Sequence, residues 1–174
     1  MTRRDWLGLL GSLGGLATAG AAKAQRKTDT PPDAPKIEKL LLTDAQWKQR
    51  LTAAQYQVLR EEGTERAFTS PLNDEKRKGT FHCAGCDLAL FGSDMKFDSG
   101  TGWPSFTQPI AGHIGTKRDF KLVLPRTEYH CARCEGHQGH VFNDGPAPRG
   151  ERWCNNGLAL LFVAKGDALP QLRS

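Results

Sequence analysis

Residues 79–91 read "GTFHCAGCDLALF". Two short apolar runs, "GTFHC" and "LALF", stand on either side of a C-x-x-C turn at Cys83 and Cys86, with Gly85 easing the reversal. A strand, a tight turn and a second strand make a unit of a β protein. The same texture extends outward. From Gly63 onward Gly and Pro recur every few residues and the apolar runs stay short, as in "FKLVLP" (120–125) and "LALLFVAK" (158–165). The pattern predicts a mainly β domain of short antiparallel strands, clearest at Phe120–Leu124 and Leu158–Val163. Upstream, Thr43-x-x-Gln46 and Thr52-x-x-Gln55 have the form of capping boxes and predict two short N-terminal helices. Leu51, Tyr56 and Leu59 would face the core, and "EEG" would stop the second helix at Gly63.

The chain has 174 residues, 38% hydrophobic and 25% charged, which suits one soluble domain with a real core. It opens "MTRRDWLGLLGSLGGLATAGAAKAQ". A twin arginine (Arg3, Arg4), a weakly apolar Gly-rich stretch and an A-x-A site at Ala22–Ala24 resemble a twin-arginine export signal. The apolar stretch is too broken by glycine for a stable membrane span, and no cysteine adjoins the cleavage site to carry a lipid. Residues 1–24 are therefore expected to be a signal peptide and 25–36, "QRKTDTPPDAPK", a flexible linker. Residues 37–174 form the domain, exported to the periplasm. Removal of residues 1–24 takes Arg3, Arg4, Lys23 and Asp5 and leaves a net charge of +3. That is too mild to argue for nucleic acid as a partner.

Cys131 and Cys134 repeat the C-x-x-C of Cys83 and Cys86. Four thiolates on two tight turns can close a tetrahedral shell around zinc, leaving no open position, so such an ion would be structural. Two disulfides are the main rival in an exported protein. A thioredoxin-like redox pair is a third reading, but no βαβ pattern surrounds either motif. The matched spacing favours zinc, and the long gap between the motifs predicts a clamp between distant loops.

Cys154, in "RWCNNG", is left over. Arg152 two residues before it would favour the thiolate, which is the nucleophilic form, and Asn155, Asn156 and Gly157 suggest an exposed turn. An inert buried thiol is the alternative. His137 and His140, placed by their Gly-containing spacing on a strand or turn beside the second knuckle, could serve a thiol nucleophile.

"KFDSGTGWPSF", "GHVFNDGPAPRGERWCNNGLAL", "GTERAFTSPLNDEKRKGTFHCAGC" and the paired C-x-x-C together resemble the methionine-R-sulfoxide reductase (MsrB) family, over about Leu41 to Val163. The resemblance implies antiparallel sheets of the MsrB type with a Cys₄ zinc clamp, and reduction of methionine-R-sulfoxide in oxidised proteins. Cys154 would attack the sulfoxide sulfur and become a sulfenic acid, to be restored by thioredoxin or another external thiol. His140 would be the acid or oxygen-orienting group, His137 would position it, and Asp144 would hold this network. Arg152 would support the Cys154 thiolate, Asn156 would hydrogen-bond near the sulfur, and Trp103 would offer an aromatic wall to the substrate methyl group. The chain is expected to act as a monomer. It departs from the family pattern at Thr101, where many members carry a resolving cysteine. It also departs at Trp153 (usually Tyr or Phe), Asn155 (usually aliphatic) and Gln138 (usually Leu). A zinc-ribbon-like binding module would explain the knuckles but not Cys154 with its histidines. A zinc hydrolase would need an open coordination position.

Overall fold

The computed structural model describes residues 37–122 and 124–173; the signal peptide and linker expected over 1–36 lie outside the described residues. Both capping boxes form. Thr43 caps α1 (Asp44–Arg50) and Thr52 caps α2 (Ala53–Glu61), each with its Gln returning the bond. Helix α2 ends one residue earlier than "EEG" suggests: Glu62, not Gly63, takes the left-handed conformation, at φ 55°. Trp47, Leu51, Val58 and Leu59 are buried and Tyr56 half-buried. Each aliphatic side chain so buried contributes roughly 1.5–3 kcal/mol.

Among the described residues nine strands follow, all paired antiparallel. β1 (Gly79–Cys83) lies between β2 (Ala89–Gly92) and β9 (Leu160–Ala164) in a three-stranded sheet. The six-stranded sheet has the order β3-β4-β8-β7-β6-β5. Its members are β3 (Lys96–Phe97), β4 (Ser105–Phe106), β5 (Ile114–Asp119), β6 (Arg126–Cys131), β7 (His137–Phe142) and β8 (Arg152–Asn155). Aromatic rings join the two sheets. Phe81 and Phe91 from the small sheet meet Phe106 at 5.0 and 4.1 Å between centroids, and Tyr129 packs edge-on between Phe91 and Trp153.

Two strand expectations need correction. Phe120, Lys121, Leu122 and Leu124 belong to the connection between β5 and β6, with Phe120 and Leu124 more than two-thirds exposed. The strands beside them are polar, "IGTKRD" and "RTEYHC", because one face of this end of the sheet is wet. The last strand begins at Leu160; Gly157–Ala159 form a 3₁₀ turn.

The knuckles match in backbone. The Cys83 carbonyl accepts from Cys86 N and Asp87 N, and the Cys131 carbonyl accepts from Glu135 N. The left-handed residues that close them are Asp87 (φ 62°) and Glu135 (φ 60°), so Gly85 is not the turn's special position. One knuckle ends β1 and the other ends β6, so the cysteine cluster clamps the two sheets together. The helices roof it: Arg60 donates to the Cys134 carbonyl at 2.9 Å.

Candidate active site

Cys154 sits inside β8, not on an exposed turn. Its neighbours in register are His140 of β7 and Ser105 of β4, and Glu128 of β6 lies opposite His140. Glu128, His140, Cys154 and Ser105 thus form one row across four strands, on the face turned away from the aromatic core. Gly139 lets β7 and β8 come this close, since a Cβ there would collide with the Cys154 carbonyl. Asn155, Asn156 and Gly157 are buried, contrary to the expected open turn.

A cleft of about 120 Å³ opens over this row, lined by Trp103, Arg126, His140, Phe142, Cys154 and Asn156. Larger cavities exist, but they are lined by no thiol and no imidazole. Trp103 is fixed by its indole N–H, which donates to the Glu65 carbonyl at 3.1 Å. The Glu65 carboxylate in turn accepts from the N–H groups of Gly157 and Leu158 at 2.6 and 2.9 Å. Glu65 thereby ties the segment that carries the tryptophan's anchor to the end of β8.

The Cys154 thiol is pushed above its ordinary value. Burial outweighs the charge and hydrogen bond of Arg152 and the hydrogen bond of Thr101. Arg152 bonds the sulfur and favours its ionised form, as expected of it, while burial works in the opposite direction. Thr101 is close enough to bond the sulfur, and its hydroxyl is linked to Ser99 at 2.8 Å. No other sulfur lies within hydrogen-bonding distance of Cys154 among the described residues.

The expectation that Asp144 holds the histidines is corrected. Asp144 grips Arg152 with two bonds of 2.8 and 2.9 Å, and Arg152 also lies over the Phe142 ring at 4.3 Å. His140 is held by Asp119, whose Oδ2 lies 2.7 Å from Nε2. Asp119 also accepts from Lys121 N at 2.8 Å and from Arg126 at 2.6 Å, and these bonds, the backbone one first, hold its carboxyl well below the usual range. Nothing in the sequence separated Asp119 from its neighbours, because the pairing arises only when β5, β6 and β7 align. Burial lowers the His140 pKa from its ordinary value, which favours the neutral ring. With Nε2–H donated to Asp119, Nδ1 carries the lone pair.

His137 lies edge-on to His140, 5.4 Å between centroids, and its Nδ1 is 2.7 Å from Glu128. Burial would raise Glu128, but bonds from His130 and His137 hold it at about 2. His137 Nε2 is buried and has no partner among the described residues. Asn156 is committed elsewhere than expected: Oδ1 accepts from Glu65 N and Nδ2 donates to the Gln138 carbonyl, both at 3.0 Å. These bonds brace the floor of the cleft.

The four knuckle sulfurs lie within 4.8 Å of one another, with closest pairs at 3.5 and 3.6 Å. These separations are far from the ~2.05 Å of a disulfide. They approach the edge of about 3.8 Å that a tetrahedron with metal–sulfur bonds near 2.3 Å would have. Hydrogen bonds from the other thiols, Cys131 first, drive Cys83 well above its ordinary value. Buried, all-sulfur and closed, the set could hold one metal ion.

Residues 51–164 match the family described as the SelR domain. The chain is 50% identical over 140 residues to the peptide methionine sulfoxide reductase MsrB of Bradyrhizobium diazoefficiens, covering 80% of this chain and 97% of that one. It is 51% identical over 134 residues to the protein of the same name from Pseudomonas putida, covering 76% and 100%. It is 47% identical over 146 residues to the chloroplastic peptide methionine sulfoxide reductase B1 of Arabidopsis thaliana, covering 83% and 72%. With the family match spanning most of the chain, and a thiol paired across strands with an imidazole, the chain belongs to the SelR-domain family of B-type peptide methionine sulfoxide reductases.

Proposed function

We propose that the protein reduces the R epimer of methionine sulfoxide in oxidised proteins, using Cys154 as the nucleophile. The observation that carries this reading is the register pairing of Cys154 with His140 under a cleft walled by Trp103. Trp103, locked by Glu65, offers a flat apolar surface to the substrate methyl group. Exchanging oxygen and methyl, as in the S epimer, would set a polar oxygen on the indole and remove it from the histidine. The test is turnover of separated epimers with dithiothreitol: R should be reduced and S should not, and equal turnover of both would refute the reading.

The proton balance follows from the resting states. Burial favours the protonated Cys154 and the neutral His140, which would accept the thiol proton at Nδ1. As the sulfur attacks, His140 takes this proton and passes it to the sulfoxide oxygen, which cannot leave as a bare oxide. The bond from oxygen to the substrate sulfur breaks and a bond from oxygen to Cys154 sulfur forms. Two electrons pass from the cysteine sulfur to the substrate, giving methionine and Cys154 sulfenic acid. Arg152, anchored by Asp144, offsets negative charge on the attacking sulfur. His137, oriented by Glu128, presents the unpartnered Nε2 next to His140 and steadies its ring.

Thr101 cannot form a disulfide, so the sulfenic acid waits for an external thiol. The first thiol displaces water and makes a mixed disulfide; a second thiol restores Cys154 and leaves as the oxidised disulfide. A thioredoxin-like protein fits this role. The four knuckle cysteines would hold structural Zn²⁺, one per chain, locking the two sheets and contributing folding energy. The twin arginine and A-x-A of residues 3–24 support export to the periplasm, where the protein would work as a monomer on oxidised envelope proteins and not on nucleic acid.

A further inference from the structure

The side chains of Gln138 and Asn155 touch each other beneath Cys154. Both side chains are fully buried. Asn155 follows Cys154 on β8, so it points to the opposite face, in register with Gly139 and Tyr129. Because Gly139 has no side chain, the Tyr129 hydroxyl reaches past it and donates to Asn155 Oδ1 at 2.7 Å. Asn155 Nδ2 donates to the Asn156 carbonyl at 2.7 Å and to Gln138 Oε1 at 3.4 Å. Gln138 Nε2 donates to the Gly136 carbonyl and to Cys83 Sγ, both at 3.4 Å.

Every N–H and C=O of the two amides is therefore used. The network also fixes their orientation: turning the Gln138 amide would set its oxygen against the Gly136 carbonyl and the Cys83 sulfur, and its nitrogen against the nitrogen of Asn155. Two buried amides are costlier than aliphatic side chains of similar size unless fully paired. Here the pairing is complete, and it ends on a metal-ligating type of atom.

We propose that Gln138 is a positioning residue for the four-cysteine metal centre, holding an amide N–H on the Cys83 sulfur, and that Asn155 and Tyr129 hold Gln138 there. The inference rests on the reading of the four cysteines as a metal centre. Four thiolates around a divalent cation leave a net negative charge in a buried site, and a donated N–H spreads part of it. The same chain of bonds links the centre to the strand bearing Cys154, so loss of metal would loosen β8 from below.

The test uses the full chain loaded with Zn²⁺, or with Co²⁺ for its thiolate charge-transfer absorption. The variants are Gln138→Leu, Gln138→Met, Asn155→Val and Gln138→Leu with Asn155→Val. Gln138→Leu should transfer zinc to a chromophoric chelator roughly tenfold faster or more. Its Co²⁺ band should move to longer wavelength, since a thiolate without its hydrogen bond gives up electrons more readily. Gln138→Met, unbranched and of similar length, should show the same band shift, which separates lost donation from poor packing. Adding Asn155→Val to Gln138→Leu should not speed release further, because both act through one contact. Wild-type band and release rate in both Gln138 variants would overturn the proposal, and additive effects in the double variant would overturn the role of Asn155. A wild-type chain that takes up neither metal would instead refute the metal reading itself.

Discussion

Asp119→Asn removes the charge that holds His140 while keeping the shape. Asp119 Oδ2 lies 2.7 Å from His140 Nε2 and 2.6 Å from Arg126. In the variant, an amide oxygen that keeps the Lys121 N–H at the Oδ1 position sets the amide nitrogen at the Oδ2 position, facing both the ring and Arg126. Nε2 must then accept, which moves the imidazole proton to Nδ1, the nitrogen that takes the thiol proton. A hydrogen bond to a charged group is worth about 1.5–3 kcal/mol. At about 1.4 kcal/mol per decade, kcat/KM should fall roughly 10- to 150-fold. The pH profile adds a second readout. Neutral His140 is the active form, so wild-type kcat/KM should fall at acid pH with a midpoint below the ordinary histidine value, in the direction burial sets. In Asp119→Asn the imidazolium loses its carboxylate but keeps Arg126 nearby, so that midpoint should move lower still. The assay is steady-state reduction of a methionine-R-sulfoxide peptide with dithiothreitol, from acid to mildly alkaline pH. Kinetics within about twofold of wild type, with an unmoved acid limb, would refute the role of Asp119 and the proton route through His140.

His140→Ala should lower kcat/KM by about 10²-fold or more with metal content unchanged; wild-type rates across the pH range would remove the residue from the mechanism. Thr101→Cys should give a disulfide between the introduced thiol and Cys154 after one turnover, since Thr101 bonds the Cys154 sulfur, and failure to trap it by mass spectrometry would show that the backbones lie too far apart. Cys83→Ser should lower bound metal and the thermal unfolding midpoint together, because metal affinity is folding energy here; an unchanged midpoint with metal absent would make the cluster dispensable.

Much of this was legible where the chemistry is local. A Thr and a Gln three residues apart mark a helix start whatever surrounds them, and both helices begin where the capping boxes say. Two C-x-x-C turns identify themselves by spacing, and they converge from separate sheets. What depends on cross-strand register was not legible. Asp119 and His140 meet only because β5, β6 and β7 align, while the nearer Asp144 turns to Arg152. Phe120–Leu124 looked like a strand because its apolar residues are dense, yet Phe120, Leu122 and Leu124 lie exposed in the connection. "NNG" looked open because it is polar, yet the two amides spend their hydrogen bonds inward, on Glu65, Gln138 and Tyr129.

The most direct test of Cys154 as an oxygen-accepting nucleophile is mass spectrometry after one equivalent of a methionine-R-sulfoxide peptide, with no reductant present. One added oxygen, or its trapped sulfenic adduct, should appear on Cys154, with one methionine peptide formed per chain and the metal still bound. A disulfide between Cys154 and any of Cys83, Cys86, Cys131 or Cys134 with metal released, or methionine formed while Cys154 stays unmodified, would contradict it.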